Sequence, residues 1–285
     1  MKIIAESGAT KTSWRAIALD GSVRSADTAG MSPTCLDGDD VRELVRDAVP
    51  MLDPEGARVS SVIFYGAGLV SEESAAPLRD AIQMWCPFAE ISFHSDLVAA
   101  ARALFGDGSG VVAIMGTGSN SCLYEGGRIV KNISPGGYVL GDEGSGVALG
   151  RAFLADFVKG LLPAHVEEDF VRVYGLDYPQ IVRKVYKEQG TSAFMASFAP
   201  FVLSHACDPY IKGMIQDNLE AFVKRSLSRY GAYASDSEFA RRIGVVGSFG
   251  CACEDMLRSI GREYGLEFVK FLKSPVDELV RYHGI

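Results

Sequence analysis

Two loops of this chain are built from glycine and hydroxyl residues: Ser7-Gly8-Ala9-Thr10 and Gly116-Thr117-Gly118-Ser119. Each lies between two short apolar stretches, and backbone N–H groups flanked by hydroxyls can ring an oligophosphate. The first loop runs on into Lys11-Thr12 but lacks the spacing of a Walker loop and leads into a strand, so it would be a phosphate site of another kind. Either loop alone reads as an ordinary hairpin turn; the pairing is what points to phosphate. Glu6 ends the apolar strand before the first loop, where an unpartnered carboxylate is costly to bury. Water-mediated Mg²⁺ binding accounts for it, with a solvent-exposed strand end as the plainer alternative.

Ser95-Asp96 marks the change from a strand to an alanine-rich helix. Asp is a common N-cap residue, and an Asp at the carboxyl end of a strand is also where α/β folds place groups that face a ligand, so both roles stay open. The glycine-dense run from Gly136 to Gly146 carries Asp142 and Glu143 just before a helix. So many glycines cost conformational entropy unless backbone must approach something closely. Gly244 to Gly250 repeats the strand, glycine turn and helix pattern, with Gly247-Ser248 suited to a flat base or a ribose. Cys251 and Cys253 would point to different faces of a helix, and the four histidines have no metal-ligand spacing, so no thiol or imidazole metal site is expected.

The elements that would position these groups follow from periodicity. Strands are predicted near Lys2–Ala5, Ser13–Leu19 and Val23–Thr28, then alternating helices and strands up to a helix over Leu97–Leu104. The turn-rich segment Phe105 to Gly110 breaks every period and marks a domain boundary. Beyond it the opening hairpin is replayed, with strands at Val111–Met115 and Ser121–Tyr124, which suggests two lobes of like topology. A mainly helical insertion is predicted from Ser145 to about Tyr230, with helical stretches that include Ala193–His205 and Ile211–Tyr230. Strands at Arg242–Val246 and Glu267–Leu272 and helices at Ala252–Glu263 and Pro275–Tyr282 close the chain. The expected domains are 1–107, with the terminal helix 274–285 packing back on it, and 108–273.

With 36 acidic and 28 basic residues among 285, and no basic run, the chain is a poor match for nucleic acid. The polar Glu6 interrupts any leader-like apolar stretch and no span-length apolar segment appears, so neither export nor a membrane is expected. Six scattered cysteines in apolar surroundings fit a reducing cytoplasm.

Taken in order, Glu6 to Thr12, Ser95-Asp96, Gly116 to Asn120, Gly141 to Ser145 and Val246 to Ser248 resemble the N-acetylglucosamine kinase family. That family belongs to the activator-type ATPase group of the actin/hexokinase superfamily, and the resemblance spans nearly the whole chain. It implies a two-lobed, ribonuclease H-like α/β fold with duplicated mixed-sheet domains and an interlobe cleft. The implied activity is phosphate transfer from Mg-ATP to an N-acetylglucosamine-like sugar. Gly8, Thr10 and Lys11 would bind phosphate, Glu6 would help hold Mg²⁺, and Thr117 with Gly118 would form the second phosphate loop. Asp96 would be the base and a sugar contact. Ser32, Asn120, Gly136, Gly137 and Asp142 match sugar-contacting positions, and Gly247 with Ser248 the adenosine side. A homodimer stays open.

Two departures stand out: many relatives have Asp at the position of Glu6 and Asn at that of Ser32, and the shorter Ser32 withdraws a sugar hydrogen bond. Among alternatives of the same fold, an ATPase activator would carry an iron–sulfur cluster on a cysteine motif that the chain lacks. A sugar-responsive repressor would need a helix-turn-helix ahead of the first strand, which begins at Lys2. A non-catalytic sugar or nucleotide sensor remains compatible.

Overall fold

The computed structural model describes residues 1–8, 11–31, 38–53, 59–69 and 72–284. The chain divides into two compact units, Met1–Gly108 with Gly126–Arg128 and Ser274–Ile285, and Ser109–Glu125 with Ile129–Lys273.

In the first unit, β1 (Lys2–Ser7), β2 (Lys11–Ile17) and β3 (Val23–Ala29) are followed by α1 (Gly38–Leu52), β4 (Ser61–Gly66), α2 (Glu72–Trp85), β5 (Glu90–Ser95) and α3 (Asp96–Phe105). The sheet order is β3-β2-β1-β4-β5. The first three strands pair antiparallel, while β4 and β5 add on parallel through helical crossovers. In β1, Ile3, Ile4 and Ala5 are all buried, as a central strand covered on both faces requires. β3 buries only Ala26 and forms the edge. Val41, Val45, Ala48 and Leu52 fall at helical spacing and are the buried stripe of α1. Four small residues, Ala99, Ala100, Ala101 and Ala103, let α3 lie close to its neighbours.

The second unit replays this plan. β6 (Gly110–Met115), β7 (Ser119–Glu125) and β8 (Arg128–Asn132) lead into α4 (Gly137–Leu140), α5 (Gly146–Phe157), α6 (Ala164–Tyr174), α7 (Tyr178–Tyr186), α8 (Thr191–Ala196), α9 (Ala199–Ser204) and α10 (Pro209–Arg225). Two 3₁₀ turns, Leu227–Ala232 and Phe239–Arg241, then precede β9 (Arg242–Val246), α11 (Ser248–Ala252), α12 (Glu254–Glu263) and β10 (Glu267–Leu272). The order β10-β9-β6-β7-β8 is that of the first sheet once β6 to β10 are read as β1 to β5. The α/β fold with duplicated mixed sheets is therefore present. The helices between β8 and β9 bring Phe153, Phe170, Phe198 and Phe201, whose rings meet edge to face, into one core with Val111, Leu123 and Val245 of the sheet.

Two long helical stretches read from periodicity are broken. The stretch 193–205 splits into α8 and α9, with Pro200 in the first turn of α9, where its missing N–H costs no helix bond. The stretch 211–230 stops at Arg225 and tightens into 3₁₀, whereas the helix expected over 252–263 is present as α12, with the short α11 ahead of it. The last helix, α13 (Val276–Gly284), packs on α3, β1 and β2. Among the described residues no helix is long and apolar enough to cross a membrane.

Candidate functional site

The first unit gathers its polar groups at the carboxyl ends of its parallel strands. Glu6 pairs in register with Tyr65, and Tyr65 with His94, which brings the ends of β1, β4 and β5 level. Asp96 follows directly as the first residue of α3. The capping role falls to Ser95 instead: its Oγ accepts the Val98 N–H at 3.3 Å, while Asp96 Oδ1 accepts the Leu97 N–H at 2.9 Å. Burial raises the Asp96 pKa, and the two backbone N–H groups offset this only in part. Glu6 is pushed up to about 7, first by burial and then by the charge of Asp96, with Lys11 pulling the other way. Two hard, partly buried carboxylates thus repel one another, and a divalent cation would relieve that repulsion. Among the described residues no three His, Cys, Asp or Glu side chains converge, so an ion at Glu6 would draw most of its ligands from water and phosphate.

The loop after β1 is pinned at both ends. Gly8 N–H donates to Lys11 O at 2.9 Å. Beneath it, Ser7 Oγ and Thr12 Oγ1 lie 2.8 Å apart, and Ser7 Oγ accepts the Met31 N–H at 2.7 Å. This buried hydroxyl pair ties β1, β2 and the exit of β3 together. Lys11 Nζ sits 3.0 Å from Asp27, but both side chains are half exposed, and such a surface pair is worth at most about 1 kcal/mol. The Lys11 ammonium can therefore be given up to a phosphate. Thr10 and Ser32 lie outside the described residues.

In the second unit the turn Gly116-Thr117-Gly118 links β6 to β7, and its carbonyls accept the first N–H groups of α5: Gly146 on Gly116 O and Val147 on Thr117 O, both at 2.9 Å. Ser145 caps that helix by accepting from Ala148 N. Asp142 has φ of 58° and is the one non-glycine residue with positive φ among those described. Such a backbone costs a residue bearing a Cβ about 1–2 kcal/mol, less for Asp than for most. The bend lays its carboxylate against Gly118, and Oδ1 accepts the Ser119 N–H at 3.3 Å. Burial raises the Asp142 pKa. Asn120 Oδ1 accepts from Asn132 Nδ2 at 2.8 Å, while Gly136 and Gly137 turn the chain with φ of 80° and 68°. Thr117, Gly118, Gly136, Gly137 and Asp142 are thus linked in one neighbourhood, while Asn120, two residues after Gly118, is tied to Asn132 on β8.

Ser248 joins this neighbourhood through a cavity of about 270 Å³, shared by Gly116, Thr117, Gly146 and the apolar side chains of Ala196, Ala199, Pro200, Leu203, Phe249 and Ala252, and Gly247 packs beside it on Met115 and Gly116. Gly247 is obligatory there: a Cβ would come within 2.2 Å of Met115 O. The walls from α8 and α9 are absent from the sequence reading, because nothing in their spacing separates a cavity wall from ordinary core.

No family model matches the chain, and no curated protein matches it in sequence. Among solved structures, a candidate N-acetylglucosamine kinase from Porphyromonas gingivalis is 35% identical, with a TM-score of 0.91, covering 99% of this chain and 98% of that one. A second candidate N-acetylglucosamine kinase, from Chromobacterium violaceum, is 20% identical at a TM-score of 0.77 and covers 99% and 98%. A ROK family glucokinase from Streptomyces griseus, solved with glucose and AMPPNP, shares the fold at 16% identity and a TM-score of 0.57, covering 99% and 97%.

Proposed function

We propose a reaction for this chain, which belongs to the N-acetylglucosamine kinase family: transfer of the γ-phosphate of ATP to a hydroxyl of N-acetylglucosamine or a closely related amino sugar. The observation that carries this reading is the Glu6–Asp96 pair at the ends of parallel strands, one acid raised to about 7 and the other also raised. A sugar hydroxyl is a weak nucleophile, and a positioned carboxylate of raised pKa accepts its proton as the phosphoryl group arrives. Asp96 takes that role. Glu6 would hold Mg²⁺, which when bound neutralises charge on the phosphates.

Gly8 and Lys11, with Thr10, cradle phosphate on the first unit, and Thr117 with Gly118 does so on the second. Asn120, Gly136, Gly137 and Asp142 orient the sugar, as does Ser32. Ser248, which lines the apolar cavity, and Gly247 beside it would meet the adenosine. Chemistry supports these assignments as well: N–H and hydroxyl donors meet phosphate, and apolar walls meet the base.

Asp96→Asn keeps the shape and the bond from Leu97 N while removing the basicity. It should bind ATP normally and melt within a few degrees of wild type, yet turn over at least about a hundredfold more slowly. ADP release is the measurement, over a panel of amino sugars and plain hexoses. Normal turnover in this variant would remove Asp96 as the base, and ADP release stimulated by no sugar would remove the kinase reading.

A further inference from the structure

Asp142 holds a backbone conformation that persists only where its surroundings over-determine it, and the three residues after it are each fastened to one face of α10. Asn218 Oδ1 accepts the Gly144 N–H at 3.0 Å, and Asn218 Nδ2 donates to Ser145 O at 3.1 Å. One turn on, Phe222 lies against Gly144, where φ is 75° and an added Cβ would sit 2.6 Å from the Phe222 Cβ. A further turn on, Arg225 pairs with the carboxylate of Glu143. Asn218, Phe222 and Arg225 follow the i, i+4, i+7 stripe of a helix, so a rigid element grips the loop at 143, 144 and 145 in turn.

The loop closes on Asp142 from both sides. Asp142 N–H donates to Pro135 O at 3.0 Å, and Ser145 Oγ donates to Asp142 O at 2.5 Å. The amide of Asn218 is the link that meets backbone on both sides of the Gly144–Ser145 peptide. Supplying a donor and an acceptor together is a task that a carboxylate or an aliphatic side chain cannot perform. Glu143 adds charge to the clamp but is held by an exposed arginine, the weaker kind of attachment.

We propose that Asn218 is a positioning residue for sugar binding: through Gly144 and Ser145 it holds Asp142 in its left-handed conformation against Gly118 and Ser119. This rests on the reading of Asp142 as a sugar contact. Asn218 touches no substrate on this account, so its removal should act on the sugar alone and only while Asp142 is present.

The test is a double-mutant cycle read by calorimetric binding of N-acetylglucosamine and, separately, of Mg-AMPPNP. Asn218→Leu, which keeps size and loses both bonds, should weaken sugar binding about tenfold and leave the nucleotide within about twofold. Asn218→Asp, which keeps the acceptor for Gly144 N–H, should fall between and carries the test if the leucine variant melts early. In an Asp142→Ala background either change should have no further effect on the sugar. Equal weakening of both ligands, or the same factor with and without Asp142, would make Asn218 a general structural residue and overturn the proposal. Wild-type protein that binds Mg-AMPPNP but no amino sugar would overturn the sugar reading itself, and the proposal with it.

Discussion

Glu6 is the penultimate residue of β1, its three predecessors are buried, and the charge of a second acid, Asp96, acts on it. With its pKa near 7, much of Glu6 is protonated in mildly acidic solution, and a proton competes directly with a cation for the same oxygens. The apparent Mg²⁺ affinity in the presence of nucleotide should therefore climb between pH 6 and 8, by roughly tenfold per unit at the acidic end. Glu6→Gln should bind the ion more weakly and lose most of that slope, leaving what the nucleotide's own protonation contributes. Calorimetric Mg²⁺ titrations at pH 6, 7 and 8 on both proteins make the comparison. Equal slopes in the two would place the ion elsewhere.

The cavity beside Thr117 owes its walls to three short helices, α8, α9 and α11, which contribute alanine, proline, leucine and phenylalanine. Among its described lining side chains, only Thr117 and Ser248 carry polar groups, and both stand at the glycine turns where phosphate and ribose are expected. A base between apolar walls is held by burial and contact, which distinguish one ring substituent from another by about 10–200-fold at most, whereas a buried hydrogen-bonding reader discriminates by about 10⁴ or more. ATP, GTP and ITP should thus support sugar phosphorylation with kcat/KM values within about a hundredfold of one another. A preference for ATP beyond roughly a thousandfold would mean that a polar group reads the base.

The stability of the whole chain should carry opposing pH dependences from the two ends of its sequence. His283 in α13 is depressed to about 4 by burial, then by Arg102, Lys2 and His94, while its Nε2 lies 2.5 Å from Tyr65 Oη. The unfolded chain takes up that proton near the ordinary histidine pKa of about 6.5, so His283 costs stability as pH falls from 6.5 toward 4. Glu6 runs the other way: its raised pKa means that folding is opposed progressively as pH rises from 4.5 to about 7. Relative to wild type, His283→Gln should therefore gain stability toward pH 4.5, and Glu6→Gln toward pH 7.5. Urea unfolding at four pH values between these limits reads both differences, and a constant offset for either variant would contradict its assigned shift.

The doubled strand–turn–strand pattern was readable in the residues themselves, because apolar runs of strand length followed by glycine turns leave few alternatives. Glu6 also stood out, since a carboxylate after an apolar run needs a reason, and so did Asp96, from its place between the end of a strand and the start of a helix. The positions along the chain could not show that Ser95 rather than Asp96 caps α3, since the cap depends on which side chain turns back toward the Val98 N–H. Nor could they show that Asn218 reaches Gly144, some 74 residues away, or that α8 and α9 wall a cavity. A helix stripe carries the same sequence signal whether it meets core, loop or ligand. Its partner is chosen by how α10 and the helices around it pack, and that choice exists only once the chain has folded.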